Sequence, residues 1–277
     1  MIPTRHYPTI DSTNLEAHRL FQAGERGPLF ILADEQTAGK GRLDRQWASL
    51  HGNCYSTLIL PLSRHPGESR GEASVASQGS SLIPAFAGMT GSGVSLLQVP
   101  QIGFVVALAV VDVVRKLSTE PPQLKWPNDV LIKGAKISGI LCEVVSSQPL
   151  TIALGCGINV AHSPFGLAYP TTCLVAEGAE IDRDGVFKLY CAALLHWVDI
   201  WNGGQNFSAI RQAWMQSAIG IGETVTMTTG THHLTGTFEG ITEQGAVLLK
   251  PAVGPPHILH AGDLHIPSLA KLRNGHT

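Results

Sequence analysis

Between Leu124 and Ile158, strand-like segments follow one another with only short turns between them: Leu124–Lys125, Val130–Ile132, Ile137–Val145 and Thr151–Ile158. Turns this short join antiparallel neighbours, whereas parallel neighbours need a longer, usually helical crossover. The stretch therefore excludes a strict βαβ repeat and requires a mixed or antiparallel sheet. Leu29–Ala33 and Tyr55–Leu60 read as further buried strands. Gln101–Lys116, although its valines are also compatible with strand, Val186–Trp201 and Phe207–Gln216 read as helices able to cover the sheet. Near the N-terminus, Thr13 and Glu16 have capping-box spacing, Leu15, Leu20 and Phe21 suit a buried helix side, and Gly24 suits its stop.

The texture changes near Gly220. Thr224–Met227, His233–Glu239, Ala246–Leu249 and His257–His260 are short strand-like runs separated by glycines, the pattern of a small β-barrel. The expected fold is α+β: a mixed β-sheet flanked by helices over residues 1–218, then a small barrel over 219–277. Residues 64–94 are rich in Ser, Gly and Ala and show no period. They read as a mobile loop insertion, and the flanking segments join naturally without it.

Composition removes several function classes. Charged residues are 14% of the chain, the formal net charge is −2, and no block of Lys and Arg stands out. The basic footprint of a nucleic-acid binder is missing. The apolar run Ile102–Val111 is short for a bilayer span, and Met1–Asn14 lacks the apolar core of a signal peptide. A cytoplasmic protein bound to neither membrane nor nucleic acid is expected. The five cysteines (Cys54, Cys142, Cys156, Cys173, Cys191) form no CxxC pair and read as reduced, packed thiols. His232, His233, His257, His260 and His265 lack the partners of a zinc set.

Two constellations carry chemistry. Gly39-Lys40-Gly41-Arg42-Leu43-Asp44-Arg45 follows a predicted strand; its glycines permit close approach of a ligand and its cations can face an anion. It is neither a P-loop nor a dinucleotide fingerprint, and alone it reads equally well as a solvated basic loop. Lys125-Trp126-Pro127-Asn128-Asp129 precedes Lys136-Ile137-Ser138-Gly139-Ile140-Leu141. Taken singly, these read as a turn and a surface lysine.

Their order is more specific than either part. Ser12-Thr13-Asn14, Gln36 with GKGR, KWPND with Lys136 and GILCE, and Gly155-Cys156-Gly157-Ile158-Asn159 together resemble the catalytic domain of biotin protein ligases. GITEQGAVLL is similar to that family's C-terminal segment. The resemblance implies a class II synthetase-like sheet domain followed by an SH3-like domain. It implies an ATP-dependent ligase that makes biotinyl-5′-AMP and passes biotin to a lysine of a biotin carboxyl carrier domain, by default that of acetyl-CoA carboxylase. Arg42 and Lys136 would be catalytic. Ser12, Thr13, Asn14, Gln36, Gly39, Lys40, Gly41, Arg42, Lys136 and Gly139 would face biotin. Arg42, Arg45, Trp47, Asn128, Asp129, Lys136 and Asn159 would face ATP, with Mg²⁺ near Asp129 on ligands the sequence does not identify. Ser-Thr-Asn begins at residue 12, which points to the monofunctional type without the DNA-binding domain. A homodimer is one open state.

The loop departs from the family's Gly-Arg-Gly-Arg-x-Gly-Arg pattern: Lys40 replaces an Arg and Asp44 takes a glycine's place. Two rival readings stand beside the ligase: a lipoate or octanoate acyltransferase, and a non-catalytic biotin-binding protein.

Overall fold

The computed structural model describes residues 2–62 and 94–269. The insertion expected at 64–94 lies outside them except for Val94, as do residues 270–277.

The first sheet is mixed and has seven strands. They are β1 (Thr4–Ile10), β2 (Leu29–Gln36), β3 (Cys54–Pro61), β4 (Pro122–Lys125), β5 (Asp129–Ile132), β6 (Ala135–Ser147) and β7 (Leu150–Ile158). Their spatial order is β1-β2-β3-β7-β6-β5-β4. Only the β1–β2 pair is parallel. The turns that join β4 through β7 are short, so these strands fold back on one another, as the sequence requires.

Both faces of the sheet are covered. Helices α2 (Ile102–Leu117), α3 (Arg183–Trp201) and α4 (Phe207–Ser217) pack on one face in the main apolar core. Helix α1 (Thr13–Gln22) covers the other, where Ala17 and Leu20 meet Leu29, Ile31, Ile59 and Ala153. β7 is buried along nearly its whole length because it lies between these layers. The helical run Leu96–Leu117 contains an 18-residue window of mean hydropathy 2.0, longer than the apolar stretch singled out in the sequence. Two thirds of it (67%) is buried inside the protein, so its apolarity serves the core.

The second sheet is antiparallel: β8 (Thr224–Thr229), β9 (His232–Ile241), β10 (Val247–Lys250), β11 (His257–Leu259) and β12 (Asp263–His265), in the order β11-β10-β9-β8-β12. This SH3-like unit docks on the first through specific contacts. Trp126 Nε1 donates to the Gly245 carbonyl at 3.2 Å, and Ile219 N–H donates to the Leu124 carbonyl at 2.9 Å. Gly245 has φ +82°, and a Cβ there would sit 2.6 Å from Phe104. That site demands glycine twice over.

Some local readings need correction. Ser12, not Thr13, caps α1: Leu15 N–H donates to its Oγ at 3.5 Å. Glu16 instead accepts from Tyr7 Oη and Arg19. The buried side of α1 is Thr13, Asn14, Ala17 and Leu20; Leu15 and Phe21 are only half-buried. β1 and β12 went unread: β1 is a mostly exposed edge strand and β12 has only three residues.

The turn before α1 is held by Arg19, which donates to both oxygens of Asp11 at 2.7 and 2.8 Å. These hydrogen bonds lower the Asp11 carboxyl to about 2, against a partial opposing effect of burial. A depressed carboxyl stabilises the fold above its unfolded value, near 3.8, and loses that contribution as pH falls through the folded value. The tie is therefore expected to hold down to about pH 4 and to dissolve toward pH 2, as NMR titration of the Asp11 carboxyl would report. A midpoint near 3.8 would show that the Arg19 contact does not form in solution.

Candidate active site

The site opens where α1 begins. On the α1 face of β6 and β7, Gly155 and Gly157 alternate in register along one strand, and Gly139 pairs with Gly157. Past the helix N-terminus, nothing larger than hydrogen projects from these positions. A Cβ on Gly155 would overlap Asn14 Oδ1; one on Gly157 would lie 2.7 Å from Trp47 Nε1, and one on Gly139 2.6 Å from Trp47 Cζ3. The glycines form a floor on which Trp47 and Asn14 rest. The bordering pocket has a volume of about 310 Å³.

Its polar end is an interlocked hydrogen-bond cluster. Thr13 N–H donates to Gln36 Oε1 at 2.8 Å, and Gln36 Nε2 donates to Ser49 Oγ at 3.1 Å. Asn14 Nδ2 donates to the Leu141 carbonyl at 3.1 Å and to Glu143 Oε2 at 2.6 Å. Asn14 Oδ1 accepts from Thr57 Oγ1 at 2.7 Å. Ser12, Thr13 and Asn14 are all buried.

Its cationic end comes from two directions. Gly39 to Trp47 forms a tight hairpin: Gly41 N–H donates to the Arg45 carbonyl at 2.7 Å, and Trp47 N–H to the Gly39 carbonyl at 2.8 Å. Gly39 lies outside the pocket wall; a Cβ there would sit 2.6 Å from the Trp47 carbonyl oxygen, so its role is to let the hairpin close. Lys40, Gly41, Arg42, Arg45 and Trp47 line the pocket. The side chain of Asp44 lies outside the described residues. From β6, Lys136 reaches in and pairs with Asp129 at 2.7 Å, with 13% of its side chain exposed. Its Nζ lies 5.2 Å from the Trp47 ring and 5.5 Å from the Tyr169 ring. Aromatic faces favour a cation there.

β12 supplies the remaining wall. Asp263 and His265 stand two residues apart and both line the pocket. Asp263 pairs with Arg45, and Arg42 Nη2 approaches the Gly262 carbonyl at 3.4 Å. Burial pushes the Asp263 carboxyl up, but the hydrogen bond and charge of Arg45, with the charges of Arg42 and Lys125, outweigh it and hold it low. Burial lowers the Arg42 guanidinium, with Asp263 and Asp129 opposing the shift. Asp129 and Asp263 are the carboxylates lining this pocket among the described residues.

Arg42 and Lys136 thus meet in one cavity, together with Ser12, Thr13, Asn14, Gln36, Lys40, Gly41, Arg45, Trp47, Asn128, Asp129 and Gly139. Asn159 does not reach it. It is buried behind Lys136, where its Nδ2 donates to the Thr172 carbonyl at 2.9 Å, and it borders only a small void behind Trp47 and Tyr169. In this structure it ties β7 to the segment around Thr172. Sequence reading missed Gly155 and Gly157 as floor, Thr57 behind the polar end, and Asp263 and His265. The alternate glycines of Gly155-Cys156-Gly157 were the available signal for the floor.

The glycine floor makes a direct prediction. Gly157→Ala forces Trp47 to move, at an overpacking cost of about 1–3 kcal/mol. Altered near-ultraviolet dichroism from the displaced indole and a fall in turnover of about tenfold or more are expected. An unchanged indole signal with full turnover would contradict the packing described here.

Comparison with known proteins is consistent with this geometry. The sequence profile of the Biotin/lipoate A/B protein ligase family matches residues 7–159, and that of the Biotin protein ligase C terminal domain matches residues 220–264. A biotin–[acetyl-CoA-carboxylase] ligase of Paracoccus denitrificans is 34% identical over 257 residues, covering 88% of this chain and 92% of its own. The bifunctional ligase/repressor BirA of Bacillus subtilis is 29% identical, covering 92% of this chain and 72% of its own. The biotin protein ligase of Aquifex aeolicus, solved with biotin and ATP, superposes with a TM-score of 0.71 at 25% identity, covering 95% of this chain and 97% of its own. With one profile spanning the first sheet through β7 and the other spanning the second, the chain belongs to the Biotin/lipoate A/B protein ligase family and, within it, to the biotin protein ligases, which makes it an enzyme.

Proposed function

We propose that the protein activates biotin with ATP as biotinyl-5′-AMP and transfers the biotinyl group to a lysine of a biotin carboxyl carrier domain. One observation carries this reading: a neutral hydrogen-bonding end and a cationic end share a single pocket of about 310 Å³. Biotin has the same polarity, a neutral ureido ring at one end and a carboxylate at the other. An apolar floor with a few placed polar groups suits such a ligand.

In the first half-reaction, a carboxylate oxygen attacks the α-phosphorus and pyrophosphate leaves. Two anions must approach each other, so the protein's work is orientation and charge compensation. Lys136 stands between the two ends; leaving Asp129 for the ligand's oxygens places its charge where negative charge grows. Arg42 and Arg45 face the phosphates, with Trp47, Asn128 and Asp129 on the nucleotide side. In the second half-reaction, the acceptor amine attacks the acyl carbon and AMP leaves.

Mg²⁺ carried by a triphosphate needs only one or two protein carboxylates. Asp129 and Asp263 fit that demand, since both line the pocket and each is paired with a cation that the phosphates would draw away. There the ion would offset phosphate charge.

The reading belongs to a cytoplasmic enzyme. Its test is incubation with biotin, ATP, Mg²⁺ and the biotin domain of acetyl-CoA carboxylase, followed by pyrophosphate release and the mass of the acceptor. Biotin-dependent release with a biotinyl mass gain on one lysine is expected. Biotin binding without release would instead indicate a binding protein, and turnover with lipoate in place of biotin an acyltransferase. The Gly39–Trp47 hairpin is expected to gain protection from limited proteolysis when biotin and ATP are added together, because closing over the mixed anhydride excludes water. Equal cleavage in both states would count against that role.

A further inference from the structure

Lys136 has to be held in place before it can act, and the strand that carries it does only part of this. It stands beside a bulge where β6 slips against β5 between Val130 and Leu131, and its side chain lines the cavity. A flexible four-carbon stem separates the ammonium from the backbone, and fixing such a stem costs rotamer freedom. The stem runs beside Gly139, where a Cβ would sit 3.2 Å from Lys136 Cε. Asp129 holds the tip at 2.7 Å, but that pair opens when ligand oxygens take the charge.

The remaining hold is aromatic. Nζ lies over the Trp47 ring at 5.2 Å and over the Tyr169 ring at 5.5 Å. A ring face attracts an ammonium without taking up its N–H donors, so all three stay available to Asp129 and then to carboxylate and phosphate oxygens. A second carboxylate in place of a ring would pair with the charge and compete with the ligand.

The two rings are not equivalent. Trp47 is carried by the Gly39–Trp47 hairpin, the part expected to close over the ligands. Tyr169 belongs to a segment fastened to Lys136 itself. Lys136 N–H donates to the Pro170 carbonyl at 2.9 Å, its carbonyl accepts from Thr172 N–H at 3.0 Å, and Lys136 and Thr171 form a parallel bridge. Asn159 Nδ2 donates to the Thr172 carbonyl at 2.9 Å, and Thr171 Oγ1 to the Pro164 carbonyl at 2.7 Å. Pro170 restricts the residue before it to extended backbone. The Tyr169 ring therefore keeps its place relative to the Lys136 backbone whether the hairpin is open or closed.

We propose that Tyr169 is a positioning residue for Lys136: its ring face holds the ammonium in the cavity independently of the hairpin, so that the charge is already in place when the two anions meet. The inference rests on the reading of Lys136 as the cation of the first half-reaction and adds the group that fixes it there.

The test replaces Tyr169 in the full chain and follows biotin-dependent pyrophosphate release. Tyr169 is 37% exposed, so substitutions there leave the core intact. Tyr169→Phe keeps the ring and is expected to stay within about threefold of the wild-type rate, whereas Tyr169→Leu lowers kcat about tenfold with little change in the KM for biotin. Phenylalanines bearing one, two and three ring fluorines, incorporated at position 169, weaken the ring's hold on a cation at nearly constant shape. A stepwise fall in kcat along this series is expected, approaching the leucine value. On a Lys136→Ala background, Tyr169→Leu should cost nothing further, because the cation it holds is gone. A merely structural wall would give a flat fluorine series, or an undiminished loss on the Lys136→Ala background. Either result overturns the inference while the ligase reading survives. Full turnover by Lys136→Ala itself would overturn both this inference and the role given to that lysine.

Discussion

Lys136→Ala is expected to slow biotin-dependent pyrophosphate release by about 10²–10³-fold while the protein stays folded. The side chain is largely withdrawn from water between two aromatic rings, and its one ion-pair partner among the described residues is Asp129. A positive charge in such a setting is worth far more than in bulk solvent. Losing one preorganised charge from a transition state costs about 3 kcal/mol. The structural work at this position belongs to the backbone: Lys136 N–H donates to the Pro170 carbonyl at 2.9 Å, and the Lys136 carbonyl accepts from Thr172 N–H at 3.0 Å. Alanine keeps both bonds. Asp129 loses its partner, but its side chain is 22% exposed, so water can reach it. The loss should therefore appear in kcat more than in the KM for biotin, the pattern of an interaction made chiefly in the transition state. Lys136→Arg is expected to restore only part of the rate, because a planar fork does not fit where a compact ammonium sits. Near-normal release by a folded Lys136→Ala protein would remove this residue from the chemistry.

What could be read ahead of the structure follows from how local each feature is. The folding back of β4 through β7 is written in short turns and needs no distant information. The same holds for α2, whose valines and alanines read as buried because it packs against the sheet and two other helices. α1 was misread by one cap and by its buried face because apolarity misleads there. Thr13 and Asn14 are buried for what they bond, while Leu15 and Phe21 point partly to solvent. β1 shows no strong alternation because most of it is exposed and it only pairs along one edge of β2. Asp263 and His265 lay beyond local reasoning altogether. They sit in a three-residue strand of the second sheet, yet they close a pocket most of whose lining lies more than ninety positions upstream. Arg42 and Lys136, by contrast, were identified through their motifs, and only the fold could bring them into one cavity.

That cavity leaves Arg42 in an unequal position, which gives the second large effect. Lys136 has Asp129 and Arg45 has Asp263, but Arg42 has no ion pair among the described residues. Its nearest recorded partner is a backbone carbonyl at 3.4 Å, and burial already works against its charge. A half-buried cation with no direct ion pair among the described residues, and only the more distant charges of Asp263 and Asp129 beside it, is left for a ligand anion to complete. Arg42→Ala should therefore separate stability from function. The melting temperature of the unliganded protein is expected to stay level or rise slightly, while kcat/KM for ATP falls by about 10²–10³-fold. Pyrophosphate or a nonhydrolysable ATP analogue should raise the wild-type melting temperature and raise that of Arg42→Ala much less, because the anion no longer relieves a buried charge. Arg42→Lys would retain the charge without the fork and should fall between the two. A variant that melts several degrees lower, with ATP affinity unchanged, would mean that Arg42 holds the hairpin against β12 instead of waiting for phosphate. The Gly262 contact would then be its main role, and the cationic end would rest on Lys40, Arg45 and Lys136.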